Sequence, residues 1–156
     1  MSARERFVAG AQRVLERLLA ETGASRTTLR LDDEMFGFEM VEVVAEALAP
    51  GERSMRGEST INHRAAGTGL WLEEHRRLLV QDDLSATDAQ APPALTGSFG
   101  VKAQILAPIE RDGRLDGWIS VHEARRIRAW SEADQRAAHE AVAAVLALLA
   151  AAQPSS

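Results

Sequence analysis

Apolar residues recur at helical spacing in the first stretch of the chain, where Phe7, Ala11, Val14, Leu15, Leu18 and Leu19 share one face. Ser2 with Glu5 forms a capping box before them, and Gly23 supplies a stop. The period then drops to two. Over 25–31, Thr27, Leu29 and Leu31 alternate with Arg26, Thr28 and Arg30, which predicts a strand with one polar face. Residues 40–48 alternate less cleanly and predict an edge strand ended by Pro50-Gly51. Ser59-Thr60 is a candidate cap for a helix over 62–76. Gly67 and Gly69 each weaken that helix by roughly 1 kcal/mol against alanine, so a break or close packing is expected there.

Leu78 to Val80 reads as a short buried strand leading into a polar loop, and Pro92-Pro93 can open a short helix through Phe99. The clearest β signal is a hairpin of 101–110 with 115–122 around Asp112-Gly113, a pair that favours a tight primed turn. Ser131 and Asp134 cap a last helix that is apolar at Ala138, Ala141, Val142, Val145, Leu148 and Leu149. Trp130, just before this cap, is expected to staple the helix to the sheet. The element order predicts an α/β (α+β) domain. Its antiparallel sheet of five to six strands carries the first and last helices on one face. Residues 1–153 read as one domain and 154–156 as a disordered tail.

At 156 residues the chain suits one domain with a proper core. A net charge of −5, with basic residues scattered, gives no expectation of nucleic acid or membrane partners. Arg125, Arg126 and Arg128 read as a solvated turn. The absence of cysteine removes disulfides, thiolate catalysis, iron–sulfur clusters and cysteine-ligated zinc. With no apolar run of spanning length, a cytoplasmic location is expected.

Several stretches in order resemble the GAF family along nearly the whole chain. They are 24–30, Trp71-Leu72 leading into Leu78-Leu79-Val80-Gln81-Asp82, 100–109, and Asp112-Gly113 into Leu115-Asp116-Gly117-Trp118-Ile119-Ser120-Val121-His122. The resemblance implies a GAF/PAS-like sheet with a small-molecule pocket opposite the terminal helices. Helices and loops between the second strand and the hairpin would cover it. It also implies a homodimer through the terminal helix pair and a sensory role in signal transduction through a partner chain. The family's methionine sulfoxide reduction and covalent bilin attachment both need cysteine, so neither is expected, and no cofactor is expected beyond a remote prospect of haem.

The ligand-binding candidates are Arg26, Thr28, Arg30, Trp71, Asp82, Phe99, Gln104, Trp118, Ser120 and His122. Arginine forks suit carboxylate, nitrate or phosphate. Internal ion pairing with Glu42, Glu46 or Asp82 is the competing expectation for at least one arginine. Asp82 can serve the pocket rim or cap its own loop. Trp71 and Trp118 can wall a pocket, and Phe99 can belong to its lid or to the core. His122 can donate to an anion, ligate haem iron or be a hydrogen-bonded strand-end histidine, while His63, His75 and His139 are expected in solvent. Ser120, His122 and Asp82 make no hydrolytic triad, since strand neighbours two apart sit roughly 6–7 Å apart and no nucleophile elbow is present. The chain is therefore not expected to be an enzyme.

Overall fold

A computed structural model describes residues 1–153. The tail expected over 154–156 lies outside the described residues. The chain begins with helix α1 (Ala3–Thr22), strand β1 (Arg26–Leu31) and strand β2 (Ala45–Leu48). Helix α2 (Gly67–His75), strand β3 (Leu79–Gln81) and the short helix α3 (Pro93–Thr96) follow. Strands β4 (Ala103–Arg111) and β5 (Arg114–Glu123) and helix α4 (Glu132–Ala151) complete it. The five strands form one sheet in the order β2-β1-β5-β4-β3, with every neighbouring pair antiparallel.

Both long helices are started by caps that lie close by in sequence. Ser2 and Ser131 accept from the backbone N–H three residues on, and Glu5 and Asp134 accept from the caps in return. Gly23 closes α1 in the left-handed region at φ 64°, donating its N–H to Leu19. Asp112 and Gly113 turn the β4–β5 hairpin at φ 52° and 77°, the two positive values that a primed turn needs.

The terminal helices pack together on one sheet face. Phe7, Leu15 and Leu18 of α1 and Val145 and Leu149 of α4 meet Leu29, Ile105 and Ile119 of the sheet, all buried. Burying each such side chain is worth about 1.5–3 kcal/mol. Phe7, Phe36 and Phe38 stack with centroids 5.3–5.8 Å apart, closing the end of this core. Trp130 joins it, and its indole N–H donates to the Gln81 carbonyl at 3.1 Å, which fixes α4 to β3. Among the described residues, no helix is long and apolar enough to cross a membrane.

Three expected elements come out shorter, the first being the helix opened at Pro93, which ends at Thr96 and does not reach Phe99. The strand over 40–48 survives only as Ala45–Leu48, at the sheet edge as its pattern implied. Arg30 takes the Met40 and Val41 carbonyls, and Asp32 takes the Met40 N–H, so those backbone groups are lost to a ladder. The helix over 62–76 starts only at Gly67. A Cβ on Gly67 would lie 2.8 Å from the Gln90 backbone, and one on Gly69 would lie 2.1 Å from the His63 carbonyl oxygen. Both glycines are therefore sites of close backbone packing. Ser59 and Thr60 do not cap the helix; Thr60 bonds the Glu58 carboxylate instead.

Candidate functional site

The sheet face opposite the terminal helices is lined by polar side chains in register. Arg26 pairs with His122, which pairs in turn with Gln104, and Gln104 with Gln81, making one row across four strands. Thr28, Ser120 and Leu106 make the next row, and Arg30 and Trp118 the third. Arg26, Thr28, Arg30, Gln104, Trp118, Ser120 and His122 are all buried. Cross-strand neighbours of this kind sit about 4.5–5.5 Å apart at Cβ, so these groups act on one volume.

The two arginines are buried without a carboxylate partner. Arg26 donates from Nε to His122 Nδ1 at 3.2 Å and from Nη1 to the Arg53 carbonyl at 2.8 Å. Arg30 donates from Nη1 to the Met40 and Val41 carbonyls. Neither makes an ion pair among the described residues, and the Nη2 atom of each has no partner. The internal pairing expected with Glu42, Glu46 or Asp82 is thus absent. Glu46 is buried beside Arg26 and Arg30, but its carboxylate accepts from Ser54 Oγ and Met55 N–H. Thr28 Oγ1 and Gln104 Oε1 are buried and unpartnered as well. Four orphaned polar atoms on one face are costly unless something fills their valences.

Burial sets the protonation states here. It pulls the Arg30 guanidinium down to about 10, against the pull of Glu46 and Glu58. It lowers Arg26 too. Both stay charged at neutral pH. Burial, with Arg26, Arg30 and His63 adding repulsion, holds His122 well below its ordinary value, so it is neutral. His63 is not in solvent as expected. It is half-buried against the cavity, and burial plus the Arg30 charge lower it to about 4. Groups depressed in this sense contribute stability above their unfolded value of about 6.5 and lose it as pH falls toward 4. The melting temperature should therefore drop between pH 6.5 and 4. His63→Gln should flatten part of that drop in a pH series of thermal melts.

Thr28, Arg30, Gln104, Trp118, Ser120 and His122 line one enclosed cavity of about 20 Å³, roughly the room of a single water. Met55, Ile61, His63 and Leu95 roof it. Beyond Ile61 and His63 lies a surface groove of about 400 Å³, so these two residues separate the groove from the buried cavity. Arg26 sits at the end of the row, with the Phe99 ring 5.6 Å from its guanidinium. Phe99 is half-buried and also stacks on Arg53 at 4.7 Å, outside the cavity. Trp71 is not among the residues lining the cavity: it is half-buried, its ring lies 4.3 Å from His75, and it packs against the apolar cluster that holds Leu72, Leu79, Leu106 and Trp118. Asp82 is exposed and accepts from the Trp130 N–H, so it acts as a cap and not as a rim group. The pattern gave no sign of Met55, Ile61 or His63, because the folding of an irregular loop over the sheet leaves no periodicity.

A second polar cluster lies across the sheet. Glu123 follows His122 on β5 but points to the helix side, where Ser25, Arg125 and Arg128 donate to its carboxylate at 2.8–3.1 Å. Arg125 also donates to the Gly23 carbonyl, and Arg128 to the Thr22 carbonyl and the Asp134 carboxylate. Of the three arginines expected in a solvated turn, only Arg126 is free in solvent among the described residues. The strand that carries His122 is thereby tied to the end of α1 and the start of α4.

An antiparallel sheet with terminal helices behind it and a roofed polar cavity in front defines an α+β domain with a covered pocket. The GAF domain family matches residues 8–149, and the chain belongs to that family. No curated protein is significantly similar to it. Among solved structures it is similar to the blue-light absorbing form of the Thermosynechococcus elongatus PixJ GAF domain. There the TM-score is 0.75 at 19% identity, over 95% of this chain and 88% of that one. It is also similar to the phycocyanobilin-bound GAF domain of a cyanobacterial phytochrome, with a TM-score of 0.69 at 16% identity over 98% and 86% of the two chains. A third is a far-red absorbing dark state with bound biliverdin, with a TM-score of 0.67 at 17% identity over 97% and 99%. These likenesses establish the fold.

The expectation of no cofactor is overturned by these neighbours, which include GAF domains holding phycocyanobilin and biliverdin. Missing cysteine removes covalent attachment through a thiol and has no bearing on non-covalent binding. In the conformation described, however, the cavity of about 20 Å³ does not hold a linear tetrapyrrole. Haem meets a further obstacle. The guanidinium Nε–H of Arg26 can only donate, so His122 Nδ1 is an acceptor and the ring proton sits on Nε2. Neither ring nitrogen has a lone pair free for iron.

Proposed function

We propose that this GAF domain is a ligand-binding regulatory module whose ligand is a small anion held against Arg30. The observation that carries the reading is the pair of buried guanidinium groups with unpartnered Nη2 atoms and no carboxylate. The one buried carboxylate near both guanidinium groups, Glu46, accepts from Ser54 and Met55 and from neither arginine, and an anion drawn in from solvent would supply the acceptors they lack. The ligand would enter by displacing Ile61 and His63 and would order residues 61–99 over it. Because His122 and Glu123 are adjacent on opposite faces of β5, a shift of the strand would reach both terminal helices through Arg125 and Arg128. Two copies would pair through those helices, in the cytoplasm, and pass the change to a signalling partner without catalysis.

Thermal melts across a panel of small metabolites test this. An anionic compound should raise the melting temperature, and the rise should grow with the logarithm of its concentration above Kd. Arg30→Met should abolish the rise. The small cavity favours a second reading, a dimerisation or scaffold domain with a filled pocket. It predicts that no compound stabilises the protein and that Arg30→Met leaves dimerisation unchanged.

A further inference from the structure

The hydrogen-bond polarity of the cavity is fixed from outside it, and that narrows the ligand. The Ala89 carbonyl can only accept, so Gln81 must donate to it from Nε2, which it does at 2.8 Å. Gln81 Oε1 is then the acceptor for Gln104 Nε2, also at 2.8 Å. Gln104 has no choice of amide orientation: its Oε1 is left unpartnered, in the wall of the cavity. On the adjacent strand the same logic runs from Arg26, whose Nε–H forces His122 to carry its proton on Nε2. His122 and Gln104 are direct cross-strand partners. The cavity therefore presents an acceptor at Gln104 beside a donor at His122, with a positively charged donor at Arg30.

We infer that the anion, admitted once Ile61 and His63 move aside and enlarge the cavity, is a compact carboxylate carrying a hydroxyl on the adjacent carbon. The inference rests on the anion-binding reading above and adds to it. The carboxylate answers Arg30 Nη2 and His122 Nε2–H, and the hydroxyl donates to Gln104 Oε1. A hydroxyl suits the site better than an ammonium, because two buried arginines repel a second cation. Any short alkyl substituent meets Leu106, Trp118, Met55 or Leu95, which are apolar. A bare carboxylate would leave Gln104 Oε1 unsatisfied, which is the larger part of the discrimination.

Calorimetric titration of the full chain at pH 7.5 with sodium glycolate, sodium acetate, glycine, sodium nitrate, sodium phosphate and biliverdin tests this. Glycolate should bind at least about tenfold more tightly than acetate or glycine. Gln104→Leu should bring glycolate and acetate to equal affinity while keeping both, and Arg30→Met should lose both. Should Gln104→Leu fail to fold, the comparison of glycolate with acetate on the unaltered protein decides the matter alone. Equal affinity for glycolate and acetate would overturn the hydroxyl inference and leave the anion site standing. Glycine binding as tightly as glycolate would overturn it in favour of an amino acid. Failure of every carboxylate would overturn the hydroxy-acid inference; failure of sodium nitrate and sodium phosphate in the same titration would overturn the anion reading too, and biliverdin binding in that case would assign the cavity to a tetrapyrrole in an opened form.

Discussion

Replacing Glu123 by alanine is expected to cost roughly 3–5 kcal/mol of stability, the range for breaking a buried ion-pair cluster from one side. The side chain has no exposure, and its carboxylate takes bonds from Ser25, Arg125 and Arg128. Burial alone would push its pKa up. The hydrogen bonds from Arg125, Ser25 and Arg128 together outweigh that and bring it down to about 2. Against an ordinary value of about 4.5, that depression corresponds to roughly 3 kcal/mol at neutral pH. The contribution is complete above pH 4.5 and is lost as pH falls toward 2. For a domain of this size the loss lowers the melting temperature by on the order of 10 °C. Denaturant unfolding at pH 7 and pH 3 checks both parts: Glu123→Ala should be much less stable than the natural chain at pH 7, and the gap should narrow in acid. A gap that stays constant with pH would mean the cost lies in packing and not in the charge.

The second large effect is expected at Gly117→Ala. Gly117 faces Leu31 across the β1–β5 pair, and a Cβ there would lie 2.1 Å from the Arg30 carbonyl oxygen and 2.8 Å from Leu31 Cα. Both obstacles are backbone, so no rotamer change relieves them. Overpacking of side chains costs about 1–3 kcal/mol, and a backbone clash in a central pair should reach or exceed the top of that range. The strand that must move carries Thr28 and Arg30. Thermal unfolding of Gly117→Ala should fall accordingly, and any stabilisation by an anion should fall with it. A variant of normal stability would show that the two central strands separate more easily than their burial implies.

What the residue pattern made legible was local or periodic. Caps at Ser2 and Ser131 and the Asp112-Gly113 turn depend on residues within three positions of each other. The alternation of Arg26, Thr28 and Arg30 placed them on the pocket face, because strand geometry leaves no other choice once Leu29 is inside. The misplaced parts depend on distant partners. Met40 and Val41 leave the sheet because Arg30 binds their carbonyls, and nothing within that stretch announces it. His63 is roofing because Gly69 lets its backbone approach, and only the folded chain shows which backbone that is. Glu123 meets Ser25 across 98 residues, so the arginines near it read as an ordinary turn. Asp82 and Trp71 differ from Gln104 only in where the chain bends, which is why the family pattern grouped them.

The ends of the sheet carry one more consequence. Its outer members, β2 and β3, are four and three residues long, while β4 and β5 inside are nine and ten. Strands that short offer few free N–H and C=O groups to another chain, Pro108 brings no N–H to the part of β4 that β3 leaves unpaired, and the exposed apolar side chains Leu48 and Val80 stand singly on opposite margins. Stacking of copies by strand addition, the route to fibrils, is thereby starved of a template.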